Sequence, residues 1–308
     1  MFFQSPLNYT GGKFKLLPQI LPHFPTNICT FVDLFCGGCN VGLNIDGETI
    51  IYNDINKELI NLYKTLQKLD IEEVFERIFC IIETYELSHV SRFGYEYYGC
   101  NGSRGVGEYN RDQFLKLRDD FNRKKDCRDD DYYLMLYVII VFSFNNQIRF
   151  NRYGDFNLPV GKRDFNKSMQ AKLRFFMERI KEQNCVFQCS DFLAVDRQSL
   201  NSHDFVYADP PYLITCATYN EQGGWSVFDE EELLGYLDAL DMKGVRFALS
   251  NVLRSKGKVN DVLLAWLEKN EGRYRAIHLN YTYANSNYQT KDKSSSSDEV
   301  LIVNYVES

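Results

Sequence analysis

The chain has 308 residues, 44% of them hydrophobic and 25% charged, enough for one large core or a core with a smaller insert. A formal net charge of −7 excludes a protein that coats nucleic acid or an anionic membrane through its overall field, while leaving room for a local basic groove. Nine cysteines, an odd number in a chain this long, point to free thiols in a reducing cytoplasm rather than a disulfide scaffold.

The first segment, Met1-Phe2-Phe3-Gln4-Ser5-Pro6, has no basic region ahead of an apolar stretch, so no signal peptide is expected. Asn8-Tyr9-Thr10-Gly11-Gly12-Lys13 then sets an aromatic and a lysine around two glycines. It reads either as a loop closing over a charged ligand or as a turn before a helix from Phe14 to Leu21. It lacks phosphate-loop spacing, which disfavours a nucleoside triphosphatase. Thr30 to Leu34 reads as a buried strand running into the glycine turn Phe35-Cys36-Gly37-Gly38-Cys39. Such a turn lets backbone approach a bound nucleoside, although many α/β turns look similar. Ile50 to Asp54 is a second strand, followed by a helix through about Lys68 with Leu59, Ile60, Leu62, Tyr63 and Leu66 at helical spacing. Asp54 can accept hydrogen bonds from both ribose hydroxyls, or can simply cap the helix that follows. Strand, turn, helix, strand, helix is the rhythm of a parallel α/β sheet, and it runs over residues 1–65.

Residues 66–182 change to charged, mostly helical segments, broken by a glycine-rich stretch from Gly94 to Gly107 and by an expected hairpin near 146–161. Arg123 to Asp131 mixes both charge signs and reads as a solvated loop. The longest apolar run, Leu134 to Phe142, is too short to span a bilayer, so a soluble, cytoplasmic protein is expected. The region reads as an inserted domain. From 183 to 308 the strand–helix rhythm returns, with strands expected at Val186–Cys189, Phe205–Ala208, Arg246–Ser250 and Val300–Val303. Ser294 to Ser297 reads as a mobile surface loop. Cys36/Cys39 and Cys185/Cys189 have no matching Cys or His pair at zinc-finger spacing, so no metal is expected.

Asp209-Pro210-Pro211-Tyr212 directly follows an apolar strand, at the edge where open α/β sheets bind ligands. The amino group of adenine is a poor nucleophile because its lone pair is delocalised into the ring. A carboxylate and a backbone carbonyl accepting its two N–H bonds would localise charge on nitrogen. Two prolines stiffen the turn and aim the Pro210 carbonyl, and Tyr212 offers a flat face for a base taken out of the duplex. The tetrapeptide alone also suits a rigid turn with an incidental aromatic.

As a set, Gly11-Gly12-Lys13, Phe35-x-Gly37, Asn53-Asp54, Asp191-Phe192 and Asp209 to Tyr212 resemble Dam-type adenine-N6 DNA methyltransferases, in the class whose recognition domain precedes the tetrapeptide. The resemblance runs over nearly the whole chain, including Lys293 to Tyr305. It implies a Rossmann-like α/β methyltransferase sheet built from 1–65 and 183–308, with 66–182 as an inserted, mostly helical target-recognition domain carrying a β-hairpin. It implies S-adenosylmethionine as cofactor, S-adenosylhomocysteine as product, and a flipped adenine in a short double-stranded site as substrate. Tyr9, Gly11, Gly12, Lys13, Asp33, Phe35, Gly37, Asp54, Asp191, Phe192 and Asp209 then fall on the cofactor. Asp54 holds the ribose, Asp191 and Phe192 the adenine ring, and Phe35 and Gly37 the methionine pocket. Asp209, Pro210, Pro211 and Tyr212 hold the target base.

Phe144 to Gly161 resembles the family's DNA-reading hairpin, which assigns Asn8, Phe144, Asn145, Gln147, Arg149, Asn151, Arg152 and Pro159 to DNA. Phe144 stands where an aromatic wedges beside the flipped base, and Arg149 where an arginine reads guanine; without the resemblance both read as hairpin packing and a surface charge. Asn8 replaces a lysine and Gln147 an apolar contact of GATC enzymes, and a short palindrome with an outer guanine, GATC or CATG, is the expected site. Cys39 stands where the family wants a small residue, and a positive φ there would strain it. Transfer of the methyl group is expected to be direct and in line, with no membrane involved. A restriction endonuclease of the same system is a partner in function, not in complex. N4-cytosine methylation usually begins the tetrapeptide with Ser, and RNA or glutamine methylation with Asn. A catalytically silent DNA-binding regulator would not need the intact tetrapeptide and Lys13, and a dehydrogenase would want Gly-x-Gly-x-x-Gly at the first strand.

Overall fold

A computed structural model describes residues 2–9, 11–215, 224–280 and 297–306, whose contacts group them into two units. One comprises Met1–Gly12, Gly37–Leu43 and Asn56–Gln183, and the other Lys13–Cys36, Asn44–Ile55 and Asn184–Ser308.

The second unit is built on one sheet. Its strands are β1 (Ile28–Asp33), β2 (Gly47–Asn53), β3 (Cys185–Gln188), β4 (Phe205–Ala208), β5 (Arg246–Ser255), β6 (Lys258–Val259), β7 (Arg275–Leu279) and β8 (Asp298–Val303), in the order β3-β2-β1-β4-β5-β8-β7 with β6 beside β5. Neighbours from β3 through β5 run parallel, whereas β8 is antiparallel to both β5 and β7. Every residue of β4 is buried, which is why Phe205-Val206-Tyr207-Ala208 is a continuous apolar run rather than an alternating one. β1 pairs with β2 on one side and β4 on the other, so the strand order reverses between β1 and β4, where the carboxyl ends of open sheets gather ligands.

Among the helices of this unit, α8 (Val227–Met242) and α9 (Asp261–Lys269) contribute Leu233, Leu237, Leu240 and Leu263 to a core shared with Val206, Phe247 and Val300. A capping box between Ser226 and Asp229 starts α8. The helix expected over 14–21 is instead a 3₁₀ turn at Lys13–Leu16, a single α turn, α1 (Leu17–Ile20), and a second 3₁₀ turn at Leu21–His23. Pro18 and Pro22 each remove an amide donor, so no longer ladder of hydrogen bonds can run through them. β7, with its mixed sequence Arg-Ala-Ile-His-Leu, escapes the period-two reading. The serine run at 294–296 lies outside the described residues, while Ser297 Oγ is 2.8 Å from Ser255 Oγ.

The first unit is helical: α2 (Lys57–Lys68), α3 (Ile71–Thr84), α4 (Val90–Phe93), α5 (Arg111–Arg123), α6 (Asp130–Phe142) and α7 (Lys167–Glu182). α6 is buried on every side from Tyr132 to Phe142 and packs on α2, α3 and α5. A helix apolar all round belongs at the centre of a bundle, and each such leucine or isoleucine contributes roughly 1.5–3 kcal/mol by burial. Leu59, Ile60, Leu62, Tyr63 and Leu66 of α2 are all fully buried, as their spacing predicts. α2 packs on α6 and α7, so it groups with the helices rather than with the strands that precede it.

No formal β-ladder forms over 146–161. Two isolated antiparallel bridges, Ser143–Val160 and Phe150–Phe156, close the segment into a loop. The glycine-rich stretch ends against its base. A Cβ on Gly107 would stand 2.6 Å from the Gly161 carbonyl oxygen, and one on Gly161 only 2.2 Å from that of Ser143.

Candidate active site and nucleic-acid loop

β4 ends at Ala208, which leaves Asp209 at the carboxyl edge of the sheet, and Leu34 N donates to Tyr207 O across the strand reversal. Lys13, at the start of the first 3₁₀ turn, is only 5% exposed and puts Nζ 2.8 Å from Asp209 Oδ1. Tyr212 donates its hydroxyl to the same Oδ1 at 3.2 Å, and Lys13 Nζ stands 4.8 Å from the Tyr212 ring centroid. Burial pushes the Asp209 carboxyl above its ordinary value, and the Lys13 ammonium and Tyr212 hydroxyl oppose that rise. Pro210 is buried and Pro211 exposed. The tetrapeptide and the lysine, far apart along the chain, thus form one cluster.

Around the same strand ends, Asp33 is buried as the last residue of β1, and Asp54 directly follows β2 with its amide donating to Gln188 O at 3.2 Å. The cap of α2 is Asn56, whose Oδ1 accepts from Leu59 N, so Asp54 is not the capping residue. Asp191 is exposed and caps the 3₁₀ turn Phe192–Ala194 through Leu193 N at 2.9 Å. Phe35 and Phe192 pack ring to ring at 5.4 Å.

Two residues here had no role assigned from the sequence, although Asn53 stands in the Asn53-Asp54 motif. Asn53 donates to Leu34 O and Ser190 O and accepts from Ser190 Oγ, joining the ends of β1, β2 and β3. Trp225 lies 5.7 Å from Phe35 and 5.9 Å from Phe192, centroid to centroid, with its indole N–H on the buried carboxylate of Glu230. Neither carries a spacing signal, because each partner set is assembled from distant strands and loops.

In the helical unit the glycine turn is built on contacts of its own. Gly37 has φ +45°, and a Cβ there would fall 2.8 Å from Tyr9 Cδ1. Tyr63 Oη donates to Gly37 O at 2.8 Å, and Gly12 N donates to Tyr9 O at 3.1 Å. Gly11 has φ +80°. Cys39 does hold a positive φ, +60°, and is fully buried with Sγ 3.9 Å from Gly37 O, so the strain expected from the sequence is present.

The DNA-assigned residues of this unit cluster on the loop after α6. Phe144 is 49% exposed, with its amide held by Pro159 O at 2.8 Å. Asn145 and Asn146 both have positive φ, +56° and +52°, a conformation that asparagine tolerates better than most residues. Buried Asn146, absent from the sequence-based set, donates Nδ2 to Val141 O, and Asn8 Nδ2 reaches Asn145 O and Asn146 Oδ1 at 3.4 and 3.3 Å. Arg149 donates Nε to Asn157 Oδ1 at 2.7 Å, which orients its guanidinium. Gln147 is half-buried, and its carbonyl accepts from Ser143 Oγ. Asn151 spends its side-chain oxygen on Tyr153 N and Asp155 N as a turn former. Arg152 is exposed and stacks over Tyr153 at 4.7 Å, and Pro159 is exposed.

No helix among the described residues is long and apolar enough to cross a membrane. Comparison with known proteins fits the strand-edge cluster. The type II methyltransferase M.FokI of Planomicrobium okeanokoites is 40% identical over 310 positions, covering 99% of this chain and 43% of that protein. Modification methylase StsI of Streptococcus sanguinis is 36% identical, again over 99% of this chain and 43% of its own length. The DNA adenine methylase of Escherichia coli K12 is 31% identical over 216 positions, 70% of this chain and 66% of that one. The chain therefore spans less than half the length of the first two. Residues 9–285 match the family described as D12 class N6 adenine-specific DNA methyltransferase, and the chain belongs to that family.

Proposed function

We propose that this chain transfers a methyl group from S-adenosylmethionine to N6 of an adenine in a specific double-stranded DNA site, acting in the cytoplasm. The observation that carries the reading is the Lys13–Asp209–Tyr212 cluster at the carboxyl end of β4, in a chain of the adenine-N6 family. Lys13 and Tyr212 both donate to Oδ1, so Oδ2 of Asp209 and the Pro210 carbonyl are the acceptors assigned to the two amino hydrogens. As those hydrogen bonds strengthen, the nitrogen lone pair is released from the ring toward the methyl group. The buried Tyr212 ring offers the face against which the base rests.

The donor set suits the cofactor. Asp54 follows β2 at the carboxyl edge of the sheet, where it would hold the ribose, and Phe35 and Phe192 supply flat apolar walls. Asp33 and Asp191 complete the acidic edge, and the family resemblance also assigns Tyr9, Gly11, Gly12 and Gly37 to the cofactor. S-adenosylmethionine, when bound, supplies an electrophilic methyl group on sulfonium. Displacement is direct and in line, so no cysteine nucleophile is needed. Residues 66–182 act as the target-recognition domain through the 144–159 loop, and a restriction endonuclease of the same system is the natural counterpart of such an enzyme.

Transfer of tritiated methyl groups to duplex DNA, followed by mapping of methylated adenines, tests this reading. Incorporation at adenine within one defined sequence, abolished in Asp209→Ala, is the expected result. Wild-type protein that labels no DNA, or an Asp209→Ala variant that labels it fully, overturns it.

A further inference from the structure

Glu230 is fully buried near the start of α8, yet it is a carboxylate. Three donors converge on it: Trp225 Nε1 on Oε2 at 2.5 Å, and Asn251 Nδ2 and Asn260 Nδ2 on Oε1, each at 3.0 Å. Asn260 is itself the cap of α9, and Asn251 lies on β5. A carboxylate taken wholly out of water is costly unless it is fully hydrogen-bonded, so these partners are held tightly in place. The one partner that is not fully buried is Trp225, which is half-buried. It lies edge-on to Phe35 (interplanar angle 81°) and tilted against Phe192 (45°).

These three aromatics arrive from different strand ends: Phe35 two residues past β1, Phe192 four past β3, and Trp225 on the segment that follows β4 and leads into α8. Both tryptophans give the indole N–H to a carboxylate, Trp225 to Glu230 and Trp266 to Asp238 at 3.0 Å, so the anchor alone does not set Trp225 apart. What differs is the setting: Trp266 is 7% exposed within the α9 core, whereas Trp225 is only partly buried and packs on Phe35 and Phe192, both assigned to the cofactor. An indole fixed by its N–H at the carboxyl edge of the sheet presents an oriented π-face, the feature a purine ring selects. We infer that Trp225 is a wall of the purine subsite for the adenosyl part of the cofactor, and that Glu230 is its positioning residue. The inference rests on the S-adenosylmethionine reading above and adds to it a binding residue and the group that orients it.

The test uses the full chain, with S-adenosylhomocysteine and adenosine as probes. S-adenosylhomocysteine should change the indole fluorescence of the wild-type protein, and Trp225→Phe, which keeps Trp266, should abolish that change. By calorimetry Trp225→Ala should weaken S-adenosylhomocysteine on the order of tenfold, as loss of one base–aromatic stack does. Adenosine should weaken by the same factor, and Trp225→Phe should recover most of the affinity. Glu230→Gln, which keeps one acceptor oxygen, should fall between wild type and Trp225→Ala. Affinity of Trp225→Ala within twofold of wild type overturns the assignment, as does a loss confined to S-adenosylhomocysteine, which would move Trp225 to the methionine side. If Trp225→Ala fails to fold, the fluorescence of Trp225→Phe decides. A wild-type chain that binds neither probe sinks the cofactor reading itself, whereas normal binding by both Trp225 variants sinks only the present inference.

Discussion

Lys13 Nζ stands 2.8 Å from Asp209 Oδ1, with 5% of the lysine side chain and 18% of the aspartate side chain exposed. The sheet edge therefore carries a nearly dehydrated ion pair whose carboxylate burial pushes toward protonation and lysine pulls back. Catalysis as proposed needs Asp209 ionised, because only the carboxylate accepts from the adenine amino group. Its raised pKa brings the acid-side loss of activity to higher pH than an ordinary aspartate would give.

Lys13→Met removes the ammonium that does most to oppose that rise, so the acid limb of the pH–rate profile should move to higher pH. A single-turnover methylation profile measured between about pH 5 and 8 reads the limb directly. An acid limb that stays in place or moves to lower pH would show that Lys13 does not hold the carboxylate ionised. The sign for stability follows from the same shift: a carboxyl whose folded pKa is raised favours the fold while protonated, and that gain is lost as pH climbs through the folded value.

Gly37→Ala would force an L-residue to φ +45° and set its Cβ 2.8 Å from the Tyr9 ring. The conformational part costs about 1–2 kcal/mol. Adding Tyr9→Ala should relieve the steric part and leave the conformational part, so a double-mutant cycle by thermal unfolding should show favourable coupling. Additive effects would mean that Tyr9 does not occupy the space beside Gly37.

Glu230→Ala leaves an indole N–H and two amide groups without their acceptor in a dry core. A loss of about 3–5 kcal/mol is expected, from buried donors left unsatisfied at about 1–3 kcal/mol each. Urea unfolding at constant slope measures it, and a loss under about 1 kcal/mol, the net worth of a single ordinary hydrogen bond, would contradict so complete a burial.

Gly161→Ala has nowhere to go, because its Cβ would meet the Ser143 carbonyl, which is backbone and cannot rotate aside. The Phe142 O–Gly161 N bond at 2.7 Å shows how closely the two chain segments run. Overpacking on this scale costs about 3 kcal/mol. It should also loosen the loop that carries Phe144, which is read as faster amide exchange confined to residues 143–161.

Arg149→Lys keeps the charge but loses the planar fork that Asn157 orients. Under the DNA-reading assignment, discrimination at one base pair should fall by about 1–3 kcal/mol, while affinity for non-cognate DNA stays within severalfold. Methylation rates on duplexes varied one base pair at a time measure this. Unchanged discrimination at every position would remove Arg149 from the reading.

How much was legible beforehand depended on whether a feature is local. Phe205 to Ala208 forms a strand where its apolar run says it should, and α2 buries the five residues that its spacing marks. The strain at Cys39 was foreseen conditionally, from the family's small-residue preference in that turn, and its φ of +60° meets the condition. The helix expected at 14–21 broke up because two prolines outweighed the apolar pattern around them. The hairpin near 146–161 became a bridged loop because Asn145 and Asn146 turn left-handed, which breaks a regular ladder.

What the amino-acid sequence determined by itself was the make-up of the segment at Asp209: an acidic residue and a proline-stiffened turn after a buried strand. These are short-range properties of residue type and neighbour. Only the tertiary structure decided that Lys13 and Tyr212 share one carboxylate oxygen, that Asn56 rather than Asp54 caps α2, and that Trp225 is held by Glu230. Those pairings join segments that touch only once the parallel strands are in register. A buried polar group must take whatever donors the packed chain brings to it, and no local spacing announces which they will be.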